Sequence, residues 1–105
     1  MKIELDGPTK KMGDEIGKEI SKNFEIDICY DDLTAELDKP IHDLPKINRI
    51  LDKLNDYFTE GNLEDLGLKT FRYLHAKYSQ IWSCPINTHN QILHRLENFI
   101  SIFSI

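Results

Sequence analysis

Six carboxylates lie between Phe24 and Asp38, at Glu25, Asp27, Asp31, Asp32, Glu36 and Asp38, with Tyr30 among them and no Lys or Arg in the window. Carboxylates at this density can hold calcium, exchange protons with a substrate, or meet a basic partner. A calcium loop does not fit. With Asp27 first and Asp31 fifth, the third ligand would be Cys29, and Asp32 stands where the sharp turn needs glycine. Proton exchange needs carboxyls held in a frame within hydrogen-bond reach of a substrate, and a short acidic segment supplies none. Docking remains, because a patch of one sign repels phosphate and steers a basic surface toward it. The plainer account is a solvated helix start, where acids cap the chain and favour the positive end of the helix dipole.

The other reactive side chains assemble less. Four histidines and two cysteines occur, without the C-x-x-C or H-E-x-x-H spacings of metal sites. His89 and His94, five residues apart, point more than a quarter-turn from each other on a helix. Surface or capping roles fit them, and neither a metal site nor a cofactor is expected. Cys84 precedes Pro85 near both and is the sole nucleophile candidate, although a half-buried cysteine at a helix end explains it equally. Gly13 and Gly17 stand inside a helical pattern rather than after a strand, so they form no phosphate loop. Lys69, Arg72, Lys77 and Arg95 interleave with Phe71, Tyr73, Tyr78 and Trp82, a mixture that can serve phosphates and bases. However, Phe71, Leu74 and Tyr78 share one helical face, and four bases make a thin footprint on a chain of net charge −5.

Counting by region locates that charge. Residues 1–24 carry five bases and five acids, residues 39–60 four and four, and residues 61–105 four bases and three acids, so the excess is the window itself. A length of 105 residues suits one domain with one core. A composition of 40% hydrophobic and 30% charged residues fits a folded, soluble chain. No apolar run approaches the length needed to span a bilayer, and the segment from Met1 to Asp6 lacks the apolar core of a secretory signal. A cytoplasmic protein with no membrane partner is the expectation. Cys29 and Cys84 accordingly read as buried thiols rather than a disulfide framework.

These residues need elements to hold them. Gly7-Pro8 opens a first helix with the stripe Met12, Ile16, Ile20 and Phe24, Asp14 and Lys18 outside, and Gly13, Gly17 and Ser21 in a second row. Two glycines cost such a helix about 1 kcal/mol each against alanine. A backbone packed closely on that row would offset this; a weak exposed face is the alternative. From Phe24 the period changes. Phe24, Ile26, Ile28 and Tyr30 alternate with Glu25, Asp27, Cys29 and Asp31, as Ile3 and Leu5 alternate earlier. A minor short β element near residues 3–5 and 24–30 follows from that pattern, set against an extended linker or a helical continuation.

Asp31 or Asp32 then caps a short helix holding Leu33, Ala35 and Leu37, stopped by Pro40. Asp43 caps the next, with Pro45 in its first turn, Ile47, Ile50, Leu51, Leu54 and Phe58 facing inward, and Gly61 ending it. Asn62 with Asp65 resembles a capping box for a helix that buries Leu63, Leu66, Phe71, Leu74, Tyr78 and Ile81 or Trp82 and stops at Cys84-Pro85. Asn87 or Thr88 starts the last helix, with the stripe Ile92, Leu93, Leu96, Phe99, Ile100 and Phe103. The apolar ending from Phe99 to Ile105 must dock on the core, as helix or terminal strand, or be held by a partner. The fold class is mainly α: residues 1–105 form a single compact four- to five-helix bundle.

A small, acidic, helical domain without a catalytic set resembles the bacterial immunity proteins that neutralise bacteriocins or contact-dependent toxins. The run Ile47-Asn48-Arg49-Ile50-Leu51 through Asn55-Asp56-Tyr57-Phe58 is similar to a helix of the class IIa bacteriocin immunity proteins. Those are antiparallel four-helix bundles of about this length, and their C-terminal part contributes to specificity. The resemblance implies a non-enzymatic protein that binds a toxin. The acidic window and the alternation at Phe24–Tyr30 depart from the class IIa pattern and favour a basic nuclease or toxin domain as partner.

The residues themselves point to the same use. Glu25, Asp27, Tyr30, Asp31, Asp32, Glu36 and Asp38 form the expected partner-binding surface, with carboxylates standing in for phosphates and Tyr30 filling a pocket. Asp52 and Asp56, flanking Tyr57, would extend it. The alternatives are a regulatory or chaperone-like helical interaction module, using the apolar ending and the glycine row, and a nucleic-acid-associated protein.

Overall fold

The first helix, α1 (Gly7–Ile20), begins where the Asp6 side chain accepts the Thr9 amide at 2.7 Å and Pro8 occupies the first turn, whose N–H would have no partner anyway. A computed structural model of the chain describes residues 5–80 and 85–104, and four further helices follow: α2 (Phe24–Leu37), α3 (Leu44–Glu60), α4 (Glu64–Ser79) and α5 (Ile86–Phe103). No strand occurs among the described residues. Their radius of gyration, 12.8 Å, matches the roughly 13 Å expected of a folded domain this long.

The segment 24–30 corrects the β expectation. It is the first half of α2, and its buried residues are Ile26, Cys29, Leu33, Glu36 and Leu37, a helical stripe. Phe24 and Ile28, which the alternation turns inward, are exposed instead. The short helix expected from Asp31 or Asp32 is the second half of the same element. At the other proposed strand, Leu5 is not in a strand and Ile3 lies outside the described residues.

Helix α3 follows the pattern closely. Asp43 accepts the Lys46 amide at 3.1 Å, Pro45 sits in the first turn, and Ile47, Leu51, Leu54 and Phe58 are buried. Its exit differs from the expected capping box. Asn62 adopts a left-handed φ of 54°, and the Leu63 amide donates back to the Phe58 carbonyl at 2.8 Å. Asn62 thus closes α3 rather than opening α4, a position asparagine tolerates because its short polar side chain eases the left-handed conformation.

Helix α4 is the hub. It packs against α5 and α1 most extensively and also against α3, while α2 lies mainly on α3. Phe71 stacks on Phe99 and Phe103 at centroid distances of 4.8 and 5.8 Å, and Phe58 meets it edge-on at 5.7 Å. The apolar ending is therefore core and helical as far as Phe103, with Ile102 turned outward. Ile81, Trp82 and Cys84, named above for a helix face and a thiol, lie outside the described residues.

The two glycines of α1 separate. A Cβ on Gly13 would lie 2.6 Å from Cε1 of Tyr73, whereas one on Gly17 would meet nothing within 4 Å. What covers the row is an aromatic side chain, not a backbone, and only at Gly13. Tyr73 is buried, with the Tyr30 ring 6.2 Å away centroid to centroid, so its ring cannot swing aside freely. Gly17→Ala should raise the unfolding free energy by up to about 1 kcal/mol through helix propensity. Gly13→Ala should lower it despite the same propensity gain. Urea melts of the two variants check the opposite signs.

Candidate protein-docking surface

In α2 the helical register decides what each acid can do. Advancing about 100° per residue, the helix turns Ile26, Cys29, Leu33 and Leu37 to the core and leaves Phe24, Ile28, Asp31 and Ala35 along the opposite face. Phe24 is 75% exposed and Ile28 45%. Asp27 and Asp38 flank this apolar strip on one edge, Glu25 and Asp32 on the other. Glu25, Asp31, Asp32 and Asp38 are exposed and Asp27 is half-buried.

The acids differ in how they are balanced. At the C-terminal end of α2, where the helix dipole disfavours negative charge, both carboxylates have lysine partners. Glu36 meets Lys39 Nζ at 2.7 Å and Lys46 Nζ at 3.5 Å, and Asp38 meets Lys77 Nζ at 3.4 Å. Glu25, Asp27, Asp31 and Asp32 form no ion pair among the described residues. Glu25 and Asp27 sit in the first turn of α2, where the dipole supports them.

Two of the expected surface residues belong elsewhere. Glu36 is buried at 2% exposure and is removed from the docking surface: its Oε1 accepts the Asp43 amide at 3.1 Å, tying the start of α3 to the end of α2. The Lys39 ammonium holds its carboxyl below the usual range, and the Asp43 amide and Lys46 act in the same sense against the burial. Tyr30 is half-buried, its ring centroid 6.2 Å from that of Tyr73. Burial, then Tyr73, pushes its hydroxyl well above the ordinary phenol range. Tyr30 therefore joins α2 to α4 beside Gly13, and Phe24 takes its place as the aromatic group that faces solvent.

The proposed extension divides likewise. Asp52 is engaged by Arg95, while Asp56 is exposed and Tyr57 half-buried. Tyr57 lines a shallow groove of about 360 Å³ with Asn23, Glu25, Glu60, Gly61 and Leu63, at the N-terminal end of α2.

The remaining reactive groups serve the fold. His42 is buried, donates from Nε2 to the Leu37 carbonyl at 2.9 Å and accepts the Tyr78 hydroxyl on Nδ1 at 2.7 Å. It thereby satisfies an orphan carbonyl at the end of α2. His89 meets the Tyr78 ring edge-on at 4.6 Å, and burial, reinforced by His42, lowers its proton affinity. His94 stands on the exposed side of α5, near Glu97 at 3.4 Å. No group of three His, Cys, Asp or Glu suited to a metal occurs among the described residues. Of the basic and aromatic mixture on α4 and α5, Phe71, Tyr73 and Tyr78 are buried, Lys69 pairs with Glu19 at 3.2 Å, and Arg95 lies 5.1 Å from the Phe99 ring centroid. No helix among the described residues is long and apolar enough to cross a membrane.

The exposed pair Phe24 and Ile28 was the feature hidden by the alternation; assigning Cys29 to the apolar stripe would have revealed it. No protein-family model matches the chain, and neither the curated proteins nor the solved structures contain a match.

Proposed function

We propose that this chain is a non-enzymatic protein-binding inhibitor, an immunity protein that neutralises a basic toxin or nuclease domain in the cytoplasm by covering its active cleft with the outer face of α2. The observation that supports this most is the division of labour among the acids. Those that serve the fold have lysine partners, while Glu25, Asp27, Asp31 and Asp32 have none among the described residues and share the outer side of α2 with the exposed Phe24. Fields of this kind raise association rates with basic partners and weaken with salt.

The two other uses find less support. Gly13 is covered by Tyr73, and Phe99 and Phe103 are in the core, which removes most of the surface a helical interaction module would have used. Phe71, Tyr73 and Tyr78, which could have stacked on bases, are likewise inside.

The test is stopped-flow association with basic nuclease-toxin domains, beginning with any encoded beside this chain. Asp27→Asn, Asp31→Asn and Asp32→Asn together should slow association about tenfold or more at low salt, with a smaller effect on dissociation. Residual nuclease activity should rise in parallel. An association rate indifferent both to the triple substitution and to salt would discard the proposal.

A further inference from the structure

We propose that the outer face of α2 receives an amphipathic helix whose apolar seam covers Phe24, Ile28 and Ala35, whose flanking lysines or arginines meet Glu25, Asp27 and Asp32, and which carries one further basic residue within the seam opposite Asp31. The inference rests on the proposed function and deepens it, naming the kind of partner segment that the acidic helix takes. Phe24, Ile28, Asp31 and Ala35 succeed one another at intervals of four, three and four residues. That is the spacing with which one helix offers a continuous seam to another lying along it. The seam runs about 16 Å, close to three turns. Among the described residues, Phe24 and Ile28 are the two exposed large hydrophobics that lie one turn apart on the same helix; Ile41 lies outside the helices, and Ile86 and Ile102 stand at opposite ends of α5.

Charge selects the occupant. A second copy of this chain would bring Glu25, Asp27, Asp31 and Asp32 against their own counterparts, and an anionic lipid surface would be repelled for the same reason. An uncharged apolar helix would bury those carboxylates without partners, at a large desolvation penalty. A helix with basic edges and one base within its seam covers Phe24, Ile28 and Ala35, pairs Asp27 on one side and Glu25 and Asp32 on the other, and meets Asp31 between them. The groove beside it gives a basic side chain a specific seat. Glu25 and Glu60 supply carboxylates and Tyr57 an aromatic ring within one lining. Glu60 is moreover the last residue of α3, at the negative end of that helix dipole, and no base occupies that last turn.

The experiment uses the full chain and two labelled peptides of identical leucine and lysine composition, each about 18 residues so as to span α2. One places its leucines on a heptad seam interrupted by a single lysine to face Asp31, and the other spreads them evenly around the helix. Fluorescence anisotropy at low salt should show the seam peptide binding at least about tenfold more tightly, as burial of one large apolar side chain would give. Phe24→Ser with Ile28→Ser should abolish that preference, whereas Ile102→Ser should preserve it. Circular dichroism confirms that each variant is folded, and Ile28→Ser alone, at a less exposed position than Phe24, provides a second measure. Equal binding of both peptides, weakened by Asp27→Asn, Asp31→Asn and Asp32→Asn but not by the serine variants, would overturn the helix seam while leaving a basic partner in place. Failure of both peptides to bind at low salt would overturn the seam and the proposed function together.

Discussion

Phe71→Ala should lower the unfolding free energy by about 3–5 kcal/mol, a large part of the 5–15 kcal/mol typical of a whole domain. Phe71 is fully buried and is in contact with Phe58, Phe99 and Phe103 together. These three come from α3 and α5, so truncation opens a void that the hub helix cannot close without drawing two other helices inward. The void forfeits dispersion contacts on every side in addition to the transfer energy of the ring. Phe24→Ala is the matched control: the same chemical change at a 75% exposed position should fall within about 0.5 kcal/mol of the parent. Urea titrations give both values, and a Phe71→Ala loss no larger than that control would contradict the described core.

Glu36→Ala should cost about 2–3 kcal/mol at neutral pH, since hydrogen bonds to a charged group contribute more than neutral ones. The substitution leaves the Asp43 amide without its acceptor and releases two lysines, so the turn between α2 and α3 loses its centre. The loss stays below that of a fully buried ion pair, because Lys39 and Lys46 are about half exposed and remain hydrated without it. Glu36→Gln, which can still accept from the Asp43 amide, should cost roughly half as much.

The pH dependence carries a sign. Lys39 chiefly depresses the native proton affinity of Glu36, so the unfolded chain binds a proton more readily there. The stability Glu36 contributes is complete above its ordinary value of 4.5 and disappears as pH falls through its lowered native value. Parent and Glu36→Gln should therefore differ most near neutrality and converge in acid. Thermal melts between these limits test the convergence; a gap that widens in acid would contradict the role given to Lys39.

Where local chemistry specified an element, the sequence was legible. Asp43, Pro45 and the interval from Ile47 to Phe58 mark α3 because its cap, its first turn and its apolar stripe agree. In α2 the signals disagree. Phe24 and Ile28 are apolar yet exposed, Glu36 is charged yet buried, and a strand-like alternation appears by accident of that exchange. The acidic character of the site was legible for the same reason that composition always is. Its division into structural and free carboxylates was not, since Glu36 depends on Asp43 and Lys46, which return to it only after the chain turns. The bond between His42 and Tyr78 spans 36 residues, and nothing in the local pattern of either announces it.

The placement of α1 against α4 also bears on how the chain comes into being. A ribosome adding about 5–20 residues per second finishes α1 well before Glu64, the first residue of α4, has been joined. During those seconds α1, whose Ile16 and Ile20 are buried in the finished fold, lacks the helix it packs against most. Helices α2 and α3, neighbours in sequence as well as in space, can pair while they wait. The newborn chain therefore leaves the apolar face of α1 open until its fourth helix arrives, and that helix in turn waits for α5 to cover Phe71.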